Sequence, residues 1–228
     1  MQLLVSPASV EEAKSALAAD IVDVKRPEEG SLGASFPWII RAIKDLTHKP
    51  VSAAIGDFDC KPGGAALTAL GAATAGADYI KIGLMFDGEE EAEEVVRAVV
   101  RAVKETYPEK FVVVAAYSDW KRLETISPFD LVPIAARAGA DITMVDTGIK
   151  DGRSTFEFMS EEDLVRFTRM NTELGIKTAI AGSLKFEDIG ILRRINPEII
   201  GVRGRGCGGD RRAMVREELV MKAISMVH

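Results

Sequence analysis

The chain has 228 residues, 47% of them hydrophobic and 28% charged, which suits one globular domain with a full core. A formal net charge of −6 and a sequence pI near 5.2 argue against a broad nucleic-acid footprint, which needs a clustered positive face. No apolar run reaches the roughly 18 residues that read as a membrane span, so neither nucleic acid nor membrane is expected as a partner.

The opening residues, Met1 to Pro7, lack the basic stretch and long apolar core of a signal peptide and read as a first strand. Seven more short apolar runs follow. Strands are predicted near Leu3–Ser6, Ile21–Lys25, Val51–Ile55, Tyr79–Ile82, Phe111–Ala116, Ile142–Asp146, Thr178–Ala181 and Ile199–Val202. Amphipathic helical stretches separate them. Glu89 to Thr106 is the clearest, with Ala92, Val95, Val96, Val99, Val100 and Val103 on one face, and Ser160-Glu-Glu-Asp has the form of a capped helix start. Gly71, Gly76 and Gly139 read as helix ends.

Strand-then-helix alternation implies parallel strands joined by right-handed crossovers, and eight such units close into a (β/α)₈ barrel, one domain over residues 1–228. A doubly wound open sheet is the rival, but the first strand-to-helix turn, Ser6-Pro-Ala-Ser, is not a glycine-rich dinucleotide loop. Homo-oligomers are common in this fold, and one is expected here. Cys60 and Cys207 are too few for a disulfide framework, so a reducing cytoplasm is the expected location. Histidine is scarce: His48 lies in a connector and His228 at the end. Acid–base work therefore falls to Lys, Asp, Glu or Tyr, and a histidine-rich metal site is not expected.

Active sites of this fold gather where strands end and βα loops begin. In Asp23-Val24-Lys25, alternation puts Asp23 and Lys25 on one strand face, pointing into the barrel mouth. A lysine removed from water loses proton affinity, and a neutral amine can attack a carbonyl to form a Schiff base. A structural ion pair between the two is the alternative. Lys81 repeats the pattern between isoleucines, either entering the mouth or reaching to solvent. Two lysines in one mouth raise the cost of charging each other, favouring one neutral nucleophile beside one charged partner. Asp146 ends the sixth strand with Lys150 in the loop above it, a proton relay or a solvated turn.

After the seventh and eighth strands, Ser183, Arg203 and Gly204 occupy positions where this fold often binds phosphate. Glycine amides and an arginine fork suit an anion. Lys61, in the polar loop after the third strand, either touches a phosphate or is solvated. Gly30 to Ala34, with Ser31, forms a second anion-binding turn or a cap for a helix beginning near Phe36. Cys207, with no histidine to activate it, reads as a small packed thiol. The residues alone thus point to a Schiff-base-capable barrel for a phosphorylated small molecule.

The run Asp23-Val24-Lys25-x-Pro27-x-Glu29-Gly30-Ser31-Leu32-Gly33-Ala34 is distinctive. Together with Tyr79 to Leu84, Asp146 to Gly152, Ala181-Gly182-Ser183 and Gly201 to Gly204, it resembles the (5-formylfuran-3-yl)methyl phosphate synthase family from the first strand to the last helix. The resemblance implies a (β/α)₈ lyase of methanofuran biosynthesis that condenses two molecules of glyceraldehyde 3-phosphate into a furan carrying an aldehyde and a phosphorylated hydroxymethyl group. It implies Lys25 as the Schiff-base lysine and Lys81 as the acid–base lysine. Asp23, Asp146 and Lys150 match other polar residues of the family's site, and no metal or organic cofactor is implied. The chain departs from the family in its short Ala18-Ala19-Asp20 turn and in Arg26 beside the nucleophile. A class I aldolase acting on another phosphorylated sugar, or a barrel that only binds a phosphorylated ligand, are the competing readings.

Overall fold

A computed structural model describes residues 1–203, 208 and 213–228. Eight parallel strands, β1 (Gln2–Val5), β2 (Ile21–Val24), β3 (Val51–Phe58), β4 (Tyr79–Leu84), β5 (Phe111–Tyr117), β6 (Ile142–Asp146), β7 (Lys177–Ile180) and β8 (Ile199–Val202), pair in chain order, and β8 returns to β1 to close the barrel. The helices around it are α1 (Val10–Ser15), α2 (Pro37–Leu46), α3 (Pro62–Thr74), α4 (Glu89–Lys104), α5 (Trp120–Leu123), α6 (Pro128–Ala138), α7 (Glu161–Glu173), α8 (Ile189–Ile195) and α9 (Glu217–Val227).

The period-2 alternation of each strand separates two buried layers. Leu4, Ile21, Ala54, Tyr79, Val113, Ala115, Ile142, Met144, Ala179 and Ile199 pack inside the barrel. Leu3, Val22, Val24, Ile80, Ile82, Val114, Val145 and Ile200 face the helices. In α4, Ala92, Val95, Val96, Val99 and Val103 are buried as the 3.6-residue period requires, while Val100 is only half-buried. Ser160 caps α7, accepting from the Asp163 amide while Asp163 reaches back to the Ser160 amide. Gly139 ends α6 in the left-handed conformation, as expected, but Gly71 lies within α3, where alanines on both sides sustain the helix.

The third strand runs three residues beyond its predicted end at Ile55. An extra residue between Ala54 and Gly56 shifts the register, so that Ala54 lies opposite Lys81 and Asp57 opposite Gly83. A bulge of this kind inverts the facing of everything after it. Asp57 therefore turns inward, and Phe58 packs among the outer layer. Plain alternation assigns these two the other way.

Candidate active site

Five charged residues converge at the C-terminal ends of β2, β4 and β6. Alternation carries Asp23 of β2 and Lys81 of β4 inward, and both are fully buried. The Lys81 Nζ donates to both carboxylate oxygens of Asp23 at 2.8 Å, and Ser6 Oγ donates to Asp23 Oδ2 at 2.7 Å. The partner of Asp23 is therefore Lys81, on another strand, and not Lys25 two residues away. Burial pushes the Asp23 carboxyl up, but the ammonium groups of Lys81 and Lys25 more than reverse this and hold it below the usual carboxylate range.

Lys25 continues the inward face of β2 at its exit. Its Nζ stands 4.0 Å from Asp146 Oδ2, at the limit of an ion pair, with 6% of the residue exposed. Burial lowers its pKa from an ordinary value of 10.5 to about 8. The Asp146 charge opposes that fall, Lys81 and Lys150 assist it, and Asp23 opposes it. At pH 7 about a tenth of the amine is then neutral, against well under a thousandth for an unperturbed lysine.

Asp146 ends β6. Its Oδ1 accepts from the Thr147 amide at 2.8 Å and from Lys150 Nζ at 2.5 Å, and Lys150 also donates to Thr147 Oγ1 at 3.0 Å. Burial pushes the Asp146 carboxyl up, and Lys150 and Lys25 bring it below the usual range. A pocket of about 130 Å³ opens over these groups, with Lys25, Lys81, Asp146 and Lys150 in its wall. The far wall comes from the loops after β7 and β8, where Gly182, Ser183, Lys185 and Arg203 line it.

The loop after β7 begins with two consecutive residues at positive φ, Gly182 at 97° and Ser183 at 51°. Gly182 is needed there on two grounds. Its φ disfavours a side chain, and a Cβ would come within 2.3 Å of Thr155 Oγ1 and 2.8 Å of the Thr147 amide. Ser183, a non-glycine residue, adopts the same left-handed conformation in the pocket wall.

Two sequence expectations need correction. Lys61 stays on the exposed rim, paired with Asp59 at 2.6 Å, and is not in the pocket wall. Asp59 lies two residues away, the carboxylate within easiest reach. Arg203 does line the pocket, but its guanidinium is directed to Glu12 of α1 at 2.9 Å and to the carbonyl of Ser6 at 2.5 Å. A buried arginine needs such a counter-charge, and Glu12 supplies it. Gly204 and Cys207 lie outside the described residues.

The sequence reading missed Lys185. Among the described residues it lines the pocket without any ion pair. Its signal was faint, a lone lysine two residues past the strand-end serine. Two further carboxylates, half-buried Asp57 and buried Asp119, lie outside the pocket wall. Asp57 accepts from the Tyr117 hydroxyl and from the Leu32 amide at 3.1 Å, and Ser31 Oγ donates to the Thr147 carbonyl at 2.8 Å. These bonds tie down the Gly30–Leu32 loop. Asp119 accepts from the Gly148 amide at 2.7 Å and the Ile149 amide at 3.0 Å.

A closed parallel barrel with buried lysines and carboxylates at the C-terminal mouth defines a (β/α)₈-barrel enzyme. The chain belongs to the 4-HFC-P synthase family, whose model matches residues 3–224. It is 58% identical to the (5-formylfuran-3-yl)methyl phosphate synthase of Methanosarcina acetivorans over 99% of this chain and 98% of that one. It is 50% identical to the enzyme of that name from Archaeoglobus fulgidus, each chain being covered in full. Among solved structures, 3-hexulose-6-phosphate synthase from Salmonella typhimurium is similar in fold, with a TM-score of 0.68 at 20% identity, covering 100% of this chain and 98% of that one. No helix among the described residues is long and apolar enough to cross a membrane.

Proposed function

We propose that the protein is a lyase of methanofuran biosynthesis that condenses two molecules of glyceraldehyde 3-phosphate into (5-formylfuran-3-yl)methyl phosphate through a Schiff base at Lys25. The observation that carries this reading is the state of Lys25. It is a buried amine with a pKa near 8, facing a pocket and held only at 4.0 Å from its nearest carboxylate. Such an amine is both partly neutral and free to leave its partner, as a nucleophile must be. The names of the relatives supply the product; the residues supply the chemistry.

Lys25 attacks the carbonyl of one triose phosphate, and loss of water gives an iminium. The iminium withdraws electrons from the adjacent carbon, so a proton there can be removed and an enamine forms. Lys81 is the acid–base group for that transfer. Its Nζ donates to both oxygens of Asp23, so a proton can pass between the two groups without leaving either buried charge unpaired. Asp146, bridging Lys25 and Lys150, relays protons at the other wall. The enamine carbon joins the aldehyde of the second triose. Hydrolysis of the imine returns the water lost in forming it and frees Lys25, and loss of inorganic phosphate and two further waters, with ring closure, gives the furan. Atom balance sets the yield at one phosphate and two waters per furan, with no net oxidation. No metal or organic cofactor is needed for any step. The left-handed turn at Gly182–Ser183 and the Lys185 ammonium, which has no ion pair among the described residues, receive a substrate phosphate, since turn amides and a cation suit an anion.

Incubation with glyceraldehyde 3-phosphate alone should generate furan absorbance. Borohydride treatment with substrate should add mass at Lys25, and Lys25→Arg should lose both signals while keeping the fold. A trapped adduct without furan would favour an aldolase for another sugar phosphate. No adduct at all would favour a binding barrel.

A further inference from the structure

Asp119 is almost fully buried, yet it is not in the pocket wall. It stands at the N-cap position of α5, where an aspartate ordinarily accepts from the first amides of its own helix. Here the side chain makes no cap bond. Both of its oxygens go instead to another loop: Oδ1 to the Gly148 amide at 2.7 Å and Oδ2 to the Ile149 amide at 3.0 Å. That loop carries Lys150. The loop packs closely here: a Cβ on Gly148 would sit 2.2 Å from Leu123 Cδ1 and 3.2 Å from the Tyr117 ring. Arg122 Nη1 stands 3.6 Å from Asp119, and its other terminal nitrogen bonds Asp151 at 3.1 Å, so both flanks of Lys150 are anchored to one short helix.

We infer that Asp119 is a positioning residue: through the amides of Gly148 and Ile149 it fixes the loop that keeps the Lys150 ammonium on Asp146. This rests on the proposed roles of Lys25 and Lys150. A helix cap diverted from its own helix to a distant loop loses local stability, and the only charged side chain that the gripped segment sends into the pocket is Lys150. The consequence is electrostatic. Lys25 faces Asp146, Lys81, Lys150 and Asp23, and Arg203 lies across the pocket. While Lys150 sits on Asp146, it offsets the carboxylate that would otherwise hold the proton on Lys25. Releasing the loop uncovers that carboxylate 4.0 Å from the amine. Simple loss of the Asp119 charge would act on Lys25 in the opposite direction.

The test uses Asp119→Asn, Lys150→Ala and the double variant, with kcat and kcat/KM for furan formation followed against pH. Asp119→Asn should lower kcat by roughly 10- to 100-fold, as misplacement of a reacting group does, and should move the limb near pH 8 upward. In the Lys150→Ala background it should cost no more than about twofold further, since the two act as one unit. Gly148→Ala, which displaces the same loop with Asp119 intact, should move the limb in the same direction, and it stands in if Asp119→Asn fails to fold. Losses that multiply in the double variant, or a limb that stays in place in both loop variants, overturn the inference. Furan formation surviving in Lys25→Arg defeats the underlying Schiff-base reading instead.

Discussion

The ammonium of Lys81 is shared equally between the two oxygens of Asp23, each at 2.8 Å, at the centre of the barrel mouth and out of contact with water. Breaking such a pair from one side leaves an unpaired buried charge. Asp23→Asn should lower unfolding free energy by about 3–5 kcal/mol, measured by urea denaturation at pH 7. The native Asp23 pKa is depressed, so the wild-type advantage is present above the ordinary carboxylate range and is lost as pH falls through the lower native value. The difference between wild type and variant should accordingly shrink in acid. A variant as stable as wild type at pH 7 would show that the pair contributes nothing.

The activity profile should report Lys25. Only its neutral form attacks a carbonyl, so kcat/KM should rise with pH and level off above about 8, the value to which burial lowers this amine. A flat profile between pH 6 and 9 would argue that another group limits the reaction.

The same burial carries a stability cost. Below about pH 8, Lys25 is protonated in both the folded and the unfolded chain, and the cost of burying the charge is present in full. Between about 8 and 10.5 the folded chain releases its proton first, the unfolded chain binds more protons, and stability rises with pH. Lys25→Met should therefore be more stable than wild type at pH 7, by roughly 3 kcal/mol at most, and the gain should fade as pH approaches 10.5. Thermal melts at pH 7 and pH 10 would reveal the trend, and a destabilised variant at pH 7 would contradict it.

Lys185 is the pocket cation without an ion pair among the described residues. Lys185→Ala should raise KM for glyceraldehyde 3-phosphate about tenfold, the loss of one charge-assisted contact, with a smaller effect on kcat. It should also weaken inhibition by inorganic phosphate. An unchanged KM with a depressed kcat would place the phosphate elsewhere and give Lys185 another task.

Gly83 lies opposite Asp57 in the sheet, and a Cβ there would meet the Tyr117 hydroxyl at 2.1 Å and Asp57 Oδ1 at 2.9 Å. Gly83→Ala should destabilise the protein by about 1–3 kcal/mol and disturb the Gly30–Leu32 loop that Asp57 holds. Adding Tyr117→Phe should recover part of that loss. Additive losses, measured by denaturation of the double variant, would refute the contact.

Local order was written in the chain itself. Period-2 apolar runs alternating with 3.6-period stretches imply parallel strands and crossover helices, and eight such units suit a closed barrel. The facing of Asp23, Lys25, Lys81 and Asp146 followed from the same alternation, because side-chain direction on a strand depends only on parity along it. The family resemblance rested on residues contiguous in sequence for the same reason. What the sequence could not determine was every relationship between strands. Whether Asp23 pairs with Lys25 or Lys81 depends on register across the sheet. Whether Asp57 faces in depends on a bulge that shifts parity without a clear local signal. Arg203 is drawn to Glu12, 191 residues away, and Asp119 serves a loop 29 residues on. A buried charge takes the counter-charge that closure of the barrel brings within reach, and only the closed structure says which one that is.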